Sequence, residues 1–423
     1  MKLKALSTAM ILATVPMTGA FAAAMDRSGQ SIAAFLQPGN YFEAGISVLD
    51  PSVSGTTSNS PLLGPGANQA TGDMASDYYF PSAALKFQVT DNFSFGLLYD
   101  RPFGAEAEYS APNAGLTAFS YLGEGTSAEV KTENLTFLFG FQPNQNWNFY
   151  AGPVYQTAKG NVSLRGTAYS ALGGVPLPGT GLPGMVYDAD MKEDSELGWI
   201  AGLAYQIPEI ALKASLTYRS EVEHELTATE TLGGNPISAI TAGLGAPITP
   251  GKTAVTTPQS VNLDFQTGIM ADTVAFANVR WVDWKGFAIR PNDFGQLLDV
   301  LGGSGLPGTS SALIGGNLVE YNEEQWSATV GVGRKFNEKW AGNVSVGWDS
   351  GAGNPVTTLG PTEGYWNVGL GLQFSPAPNY FIAGGVKYFW LGDATALTVA
   401  NPNVGEFTDN HAIGYGLKMG YRF

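Results

Sequence analysis

The chain holds two histidines, His224 and His411, and no cysteine. That excludes a thiol nucleophile, a disulfide framework and a Cys-ligated metal. A serine hydrolase would have to draw its general base from one of the two histidines. His224 lies in "SEVEHEL" and His411 opens the last segment, both expected as solvated rim residues. No G-x-S-x-G elbow, phosphate loop or metal-ligand spacing is present. The sequence therefore predicts no catalytic residue, no metal and no cofactor.

The chemistry that remains is binding. Arg219 in "IALKASLTYRSEV", Arg280 in "TVAFANVRWV" and Lys418 in "GYGLKMGYRF" stand on the polar phase of alternating segments. Arginine can grip a carboxylate through two parallel hydrogen bonds. The three cations are candidate contacts for a ligand carboxylate. Ion pairing with acids of the same phase, such as Glu43, Asp264 and Asp349, is the other role open to them.

A second set of residues is apolar where a solvated loop should be polar. The segment 167–191 carries Leu172, Val175, Leu177, Leu182, Met185 and Val186. The segment 231–251 carries Leu232, Ile237, Ile240 and Leu244. Exposed apolar patches usually mark a binding or packing site. The two readings are a greasy capture groove and packing of loop on loop. A third feature is the break at "YDRPFGAEAEYS" (99–110). Pro102 cannot donate to a sheet ladder and Gly104 adds freedom. Pro102, Phe103 and Gly104 either end a strand or kink it so that the wall opens.

These residues need a frame, and the frame is strands. Apolar and small or polar residues alternate in fourteen segments, from "YFEAGISVL" (41–49) to the terminal stretch beginning near Asp409. Short links rich in Asp, Asn and Pro alternate strictly with long links rich in Gly, Pro, Ser and Thr. That parity predicts an all-β fold, a transmembrane antiparallel barrel of about 14 strands with one tight-turn rim and one long-loop rim. Closure also spares any unpaired edge in lipid. In 364–374, Trp366, Val368, Leu370, Leu372 and Phe374 are assigned to lipid, and Tyr365, Asn367, Gly369, Gly371 and Gln373 to the lumen. The same phase turns Lys86, Lys213, Lys335 and Arg422 inward. Aromatics near the strand ends, Trp147, Trp199 and Trp340 among them, fit interfacial girdles.

Residues 1–24 read as a signal peptide: Lys2 and Lys4, an apolar run, and small residues that allow cleavage after Ala22 or Ala24. Residues 25–39 form a short plug or hatch segment, and 40–423 the barrel with its long outer loops. Only 13% of residues are charged, about half the level of soluble domains. The 36 acidic against 21 basic side chains give the wrong sign for a nucleic-acid partner.

The chain resembles the long-chain fatty acid transporter family of outer-membrane barrels, the FadL/TodX type. The matching stretches are "FEAGISVLDPSVSG" (42–55), "MVYDADMKEDSELGWIAGLAYQI" (185–207), "LTYRSEVEHEL" (216–226), "TPQSVNLDF" (257–265), "VRWVDW" (279–284) and "GWDSGAGNPV…GYWNVGLGLQF" (347–374). The resemblance implies a monomeric fourteen-stranded barrel in a Gram-negative outer membrane, plugged by an N-terminal hatch. It implies capture of a long-chain fatty acid or other hydrophobic molecule between loop three (167–191) and loop four (231–251), a lumenal pocket, and lateral exit at a kink in strand three. This chain's segment 25–39 is shorter than the family's hatch and lacks its Asn-Pro-Ala motif.

The expected partners are the hydrophobic substrate, outer-membrane lipid and lipopolysaccharide, and the barrel-assembly machinery reading the strand that ends at Phe423. Aromatic hydrocarbon uptake, a surface adhesin without transport, and an outer-membrane lipid enzyme are the rival functions.

Overall fold

The computed structural model describes residues 24–112, 114–170, 184–305 and 309–423. The expected leader therefore lies outside the described residues except for Ala24. Fourteen antiparallel strands run around a closed wall. They are β1 (Tyr41–Ser52), β2 (Tyr78–Gln88), β3 (Phe93–Asp100), β4 (Ser127–Phe141), β5 (Trp147–Gly166), β6 (Met185–Ile207) and β7 (Leu212–Arg219). The second half comprises β8 (Ser260–Met270), β9 (Thr273–Val282), β10 (Gln325–Lys335), β11 (Trp340–Asp349), β12 (Tyr365–Ala377), β13 (Tyr380–Leu391) and β14 (His411–Arg422). The barrel closes where β14 pairs with β1, from Tyr41 opposite Arg422 to Ser52 opposite His411.

The expected strands and their order are observed, with β5 and β6 extending well beyond the bilayer-length segments. The alternation sets the faces. On β12, Trp366 is 58% exposed while its neighbour Asn367 is 2% exposed. On the seam, Phe42 faces Tyr421 and Ile46 faces Leu417 across the outer surface. Tight turns need residues that tolerate unusual backbone angles: Asp272, between β8 and β9, takes φ 58°, which a short polar side chain can stabilise locally.

Among the described residues the long-loop rim is folded rather than splayed. They include two α-helices there, α1 (Ile237–Gly243) and α2 (Asn292–Gly303). Leu232, Ile237 and Ile240 belong to one apolar core with Phe294, Leu297 and Leu298 of α2. A small sheet joins the loop after β1 to the loops before β12 and β14, pairing Gly55 with Phe407 and Val356 with Ala396. Burying these apolar side chains is worth roughly 1.5–3 kcal/mol each, which is why the outer loops collapse onto one another.

Candidate functional site: the lumen and the interrupted wall

The N-terminal segment lies inside the barrel. Phe35 is fully buried and packs with Ile32, Leu138, Tyr150, Val154 and Ile200. Two lumen-facing glycines make the hollow for its ring. A Cβ at Gly96 would stand 2.4 Å from the Phe35 ring, and one at Gly140 would stand 2.8 Å from it. Lysines hold the segment's backbone from opposite walls. Lys86 Nζ donates to the Gln37 carbonyl at 2.5 Å and Lys213 Nζ to the Leu36 carbonyl at 2.9 Å.

Two of the three cations singled out above meet this segment. Arg280 Nε donates to Asp26 Oδ2 at 2.6 Å, Nη1 to Asn262 Oδ1 at 2.6 Å, and Nη2 to Gln30 Oε1 at 3.0 Å. Arg219 Nη2 donates to the Gln30 carbonyl. Its Nη1 is buried and has no hydrogen-bond partner among the described residues. Lys418 stands apart from this pair, toward the tight-turn rim, with its Nζ 3.4 Å from Glu43.

The wall beside this cluster is incomplete. β2 pairs with β1 along Tyr78 to Lys86, but with β3 only from Ala83 opposite Tyr99 downward. Tyr78 to Ser82 thus have no strand partner on the β3 side. There β3 breaks. Asp100 lies opposite Asn134, yet the chain resumes its pairing with β4 at Gly104 opposite Lys131. Four steps on one strand match three on the other, so one extra residue is inserted and the facing of the chain flips, as in a bulge. The break turns to the N-terminal segment for partners. Arg27 N–H donates to the Pro102 carbonyl at 2.7 Å, and Gly104 N–H to the Met25 carbonyl at 2.8 Å. Phe103 is buried and meets Trp284 edge-on, with ring centroids 5.5 Å apart. Trp284 in turn packs against Phe287 and Tyr321.

The remaining residues named from sequence fall as follows. Met185 is buried at the start of β6 and Val186 is half-buried. Leu172, Leu177 and Leu182 lie outside the described residues. Leu232 and the α1 residues Ile237 and Ile240 are buried in one core with α2, whereas Leu244 remains exposed. His224 is not a solvated rim residue. It is fully buried, between Asp194 (3.1 Å from Nδ1) and Gln156 (3.0 Å from Nε2). Burial pushes its pKa down, with the Asp194 carboxylate acting the other way. The reason is that the ribbon 222–226 folds back over β5 and β6 instead of standing free. His411 is half-buried and stacks on Tyr388.

Sequence reading missed Asp26, Gln30, Phe35 and Tyr78. One signal was available for Asp26: it is the single acid of the segment 25–39, and the lumenal arginines need a counter-charge.

A closed antiparallel barrel with an apolar exterior and tight and long rims defines a protein of the outer-membrane channel class. The chain belongs to the outer membrane protein transport protein family (OMPP1/FadL/TodX), whose profile matches residues 20–423. It is thus an outer-membrane transporter of hydrophobic compounds. Solved structures share the fold. A Pseudomonas aeruginosa FadL homologue has TM-score 0.68 at 17% identity, covering 92% of each chain. The P. putida toluene transporter TodX has TM-score 0.61 at 13% identity, covering 92% of this chain and 91% of its own. The Ralstonia pickettii toluene transporter TbuX has TM-score 0.55 at 13% identity, with 92% and 91% covered. Among curated protein sequences, none matches this chain.

Proposed function

We propose that the protein passively admits long-chain fatty acids or chemically similar hydrophobic compounds, and releases them sideways into the outer membrane. The observation that carries this reading is the gap between β2 and β3, whose broken strand is bonded to the segment in the lumen. Sideways release needs no other energy source than the bilayer, because each buried CH2 contributes about 0.8 kcal/mol.

In this scheme the apolar residues of loops three and four, Leu172, Leu177, Leu182, Met185, Val186, Leu232, Ile237, Ile240 and Leu244, receive the substrate. Arg219 and Arg280 hold its carboxylate, with Lys418 as a further cation deeper in the lumen. The kink Pro102–Phe103–Gly104 is the lateral exit, and residues 25–39 are the plug. The chain reaches the membrane through the leader 1–24, is assembled through its terminal strand ending at Phe423, and acts as a monomer surrounded by lipid and lipopolysaccharide. It performs no catalysis.

Uptake of labelled oleate by cells that depend on this protein tests the reading. Deleting 231–251 should lower uptake while the barrel still assembles. Unchanged uptake would remove loop four from the path. Aromatic hydrocarbon uptake is the second reading, favoured by the Phe103–Trp284–Phe287–Tyr321 stack beside the break. Toluene entry without oleate entry would establish it instead.

A further inference from the structure

We infer that Asp26 is a built-in carboxylate ligand of the lumenal arginines, which the carboxylate of an incoming substrate displaces. That exchange frees the broken part of β3 from the N-terminal segment. The inference rests on the fatty-acid reading above and specifies the chemistry by which the site would select it.

The argument begins with charge. Arg280 and Asp26 are each nearly excluded from solvent, with side chains 3% and 4% exposed, and they meet at 2.6 Å. A buried ion pair broken by loss of one partner leaves an uncompensated charge, which is strongly unfavourable. Asp26 therefore stays on Arg280 for most of the time unless another anion arrives. A neutral hydrocarbon cannot do this; a carboxylate can. Asp26 holds the site through one oxygen, and its Oδ1 has no protein partner among the described residues. Arg219, which grips the same Gln30, offers a buried Nη1 that nothing described occupies. A substrate carboxylate bonded to both guanidiniums would use a donor that Asp26 leaves idle.

The second strand of the argument is connectivity. The residues around the carboxylate are the ones that hold the break. Asp26 is bridged to Phe103, Met25 accepts from Gly104, and Arg27 donates to Pro102. Ser28 Oγ donates to Asp100 Oδ2 at 2.5 Å, at the last residue before the break. Displacing the Asp26 side chain pulls on each of these contacts. Anion exchange in the lumen and release of the wall are thus a single event in this chain.

The test uses the purified, full-length protein in detergent, its folding verified by heat-modifiable gel mobility. Wild type and Asp26→Asn are titrated calorimetrically with oleate and with oleyl alcohol. Removing an internal competitor that occupies the site nine-tenths of the time should tighten oleate binding about ten-fold, since apparent affinity scales with the competent fraction. Oleyl alcohol should change less than two-fold by the same reasoning. Hydrogen exchange on the wild type supplies a readout independent of the variant. Saturating oleate, and not oleyl alcohol, should speed exchange of the Arg27 and Gly104 amides. Equal oleate affinity in the two proteins, or unchanged exchange at those amides, would overturn the inference and leave the fatty-acid reading standing. Failure of both proteins to bind either lipid would overturn the fatty-acid reading, and this inference with it.

Discussion

The phenol of Tyr78 closes the wall to the backbone of Glu106, where no ladder joins β2 to the strand beyond the break. It donates to the Glu106 carbonyl at 2.5 Å and accepts from the Glu106 N–H at 2.6 Å. The Arg27 guanidinium lies over its ring, 5.1 Å from the centroid. One side chain thus spans the gap from β2 to the resumed strand and touches the lumenal segment as well.

Tyr78→Phe removes both bonds and leaves a backbone donor and acceptor unpaired, at a cost of roughly 1–3 kcal/mol. Exchange of the Glu106 amide should accelerate by about ten-fold or more, because 1.4 kcal/mol is a factor of ten. Uptake of a hydrophobic tracer should rise while the barrel remains folded. Slower uptake would mean that Tyr78 guides substrate rather than closing the gap.

Phe35 is the apolar anchor of the lumenal segment. Its truncation in Phe35→Ala should cost about 3–5 kcal/mol and loosen residues 25–39. Single-channel conductance in planar bilayers should increase. Gly96→Val should act alike, since any Cβ there collides with the same ring. If both variants conduct as wild type does, ion flow does not depend on this contact.

The extra residue at the break offers a deletion test. Removing Pro102 alone lets β3 pass from Asp100 to Gly104 in three steps, matching Asn134 to Lys131 on β4. The ladder becomes continuous, the chain's facing is restored, and the gap shrinks. Hydrophobic uptake should fall several-fold without loss of folded protein on a heat-modifiable gel. Retained uptake would point to an exit elsewhere.

Glu363, in the loop joining β11 to β12, is pushed up to about 7 by burial, and the Glu323 charge adds to the rise. Its Oε1 accepts from the Gly353 N–H at 3.1 Å. The docked loop binds the proton more tightly than the unfolded chain does. Its contribution is therefore complete below the ordinary carboxyl range, about 4.3, and is lost as pH rises through about 7. Hydrogen exchange across 351–364, corrected for its intrinsic pH dependence, should accelerate between pH 5 and pH 8, on the order of those two limits. Glu363→Gln should flatten the profile; a variant with the wild-type slope would assign the effect to another group.

The wall was legible in the sequence because lipid and lumen impose opposite demands on adjacent residues. Trp366 and Asn367 are neighbours in the chain with opposite surroundings, and that alternation repeats through fourteen strands. The same phase turns Arg219, Arg280 and Lys418 inward, and all three are buried. Loop parity gave the two rims, and Pro102 marked the break. These are local signals, each readable within a few residues.

The contacts that make a site out of those residues are not local. Asp26 and Arg280 are 254 positions apart, and no periodicity links them. Their meeting depends on how a short segment enters a closed barrel and on the two glycines that leave room for Phe35. The helix α2 forms inside one of the long links between strands. Its apolar face is defined by Leu232, Ile237 and Ile240, which pack in the same core. His224 likewise is buried only because its ribbon folds onto Gln156 and Asp194. Chain order sets which face each strand residue takes, since the bilayer rewards one phase. Barrel closure sets which lumenal groups touch, since only then do distant strands share one interior.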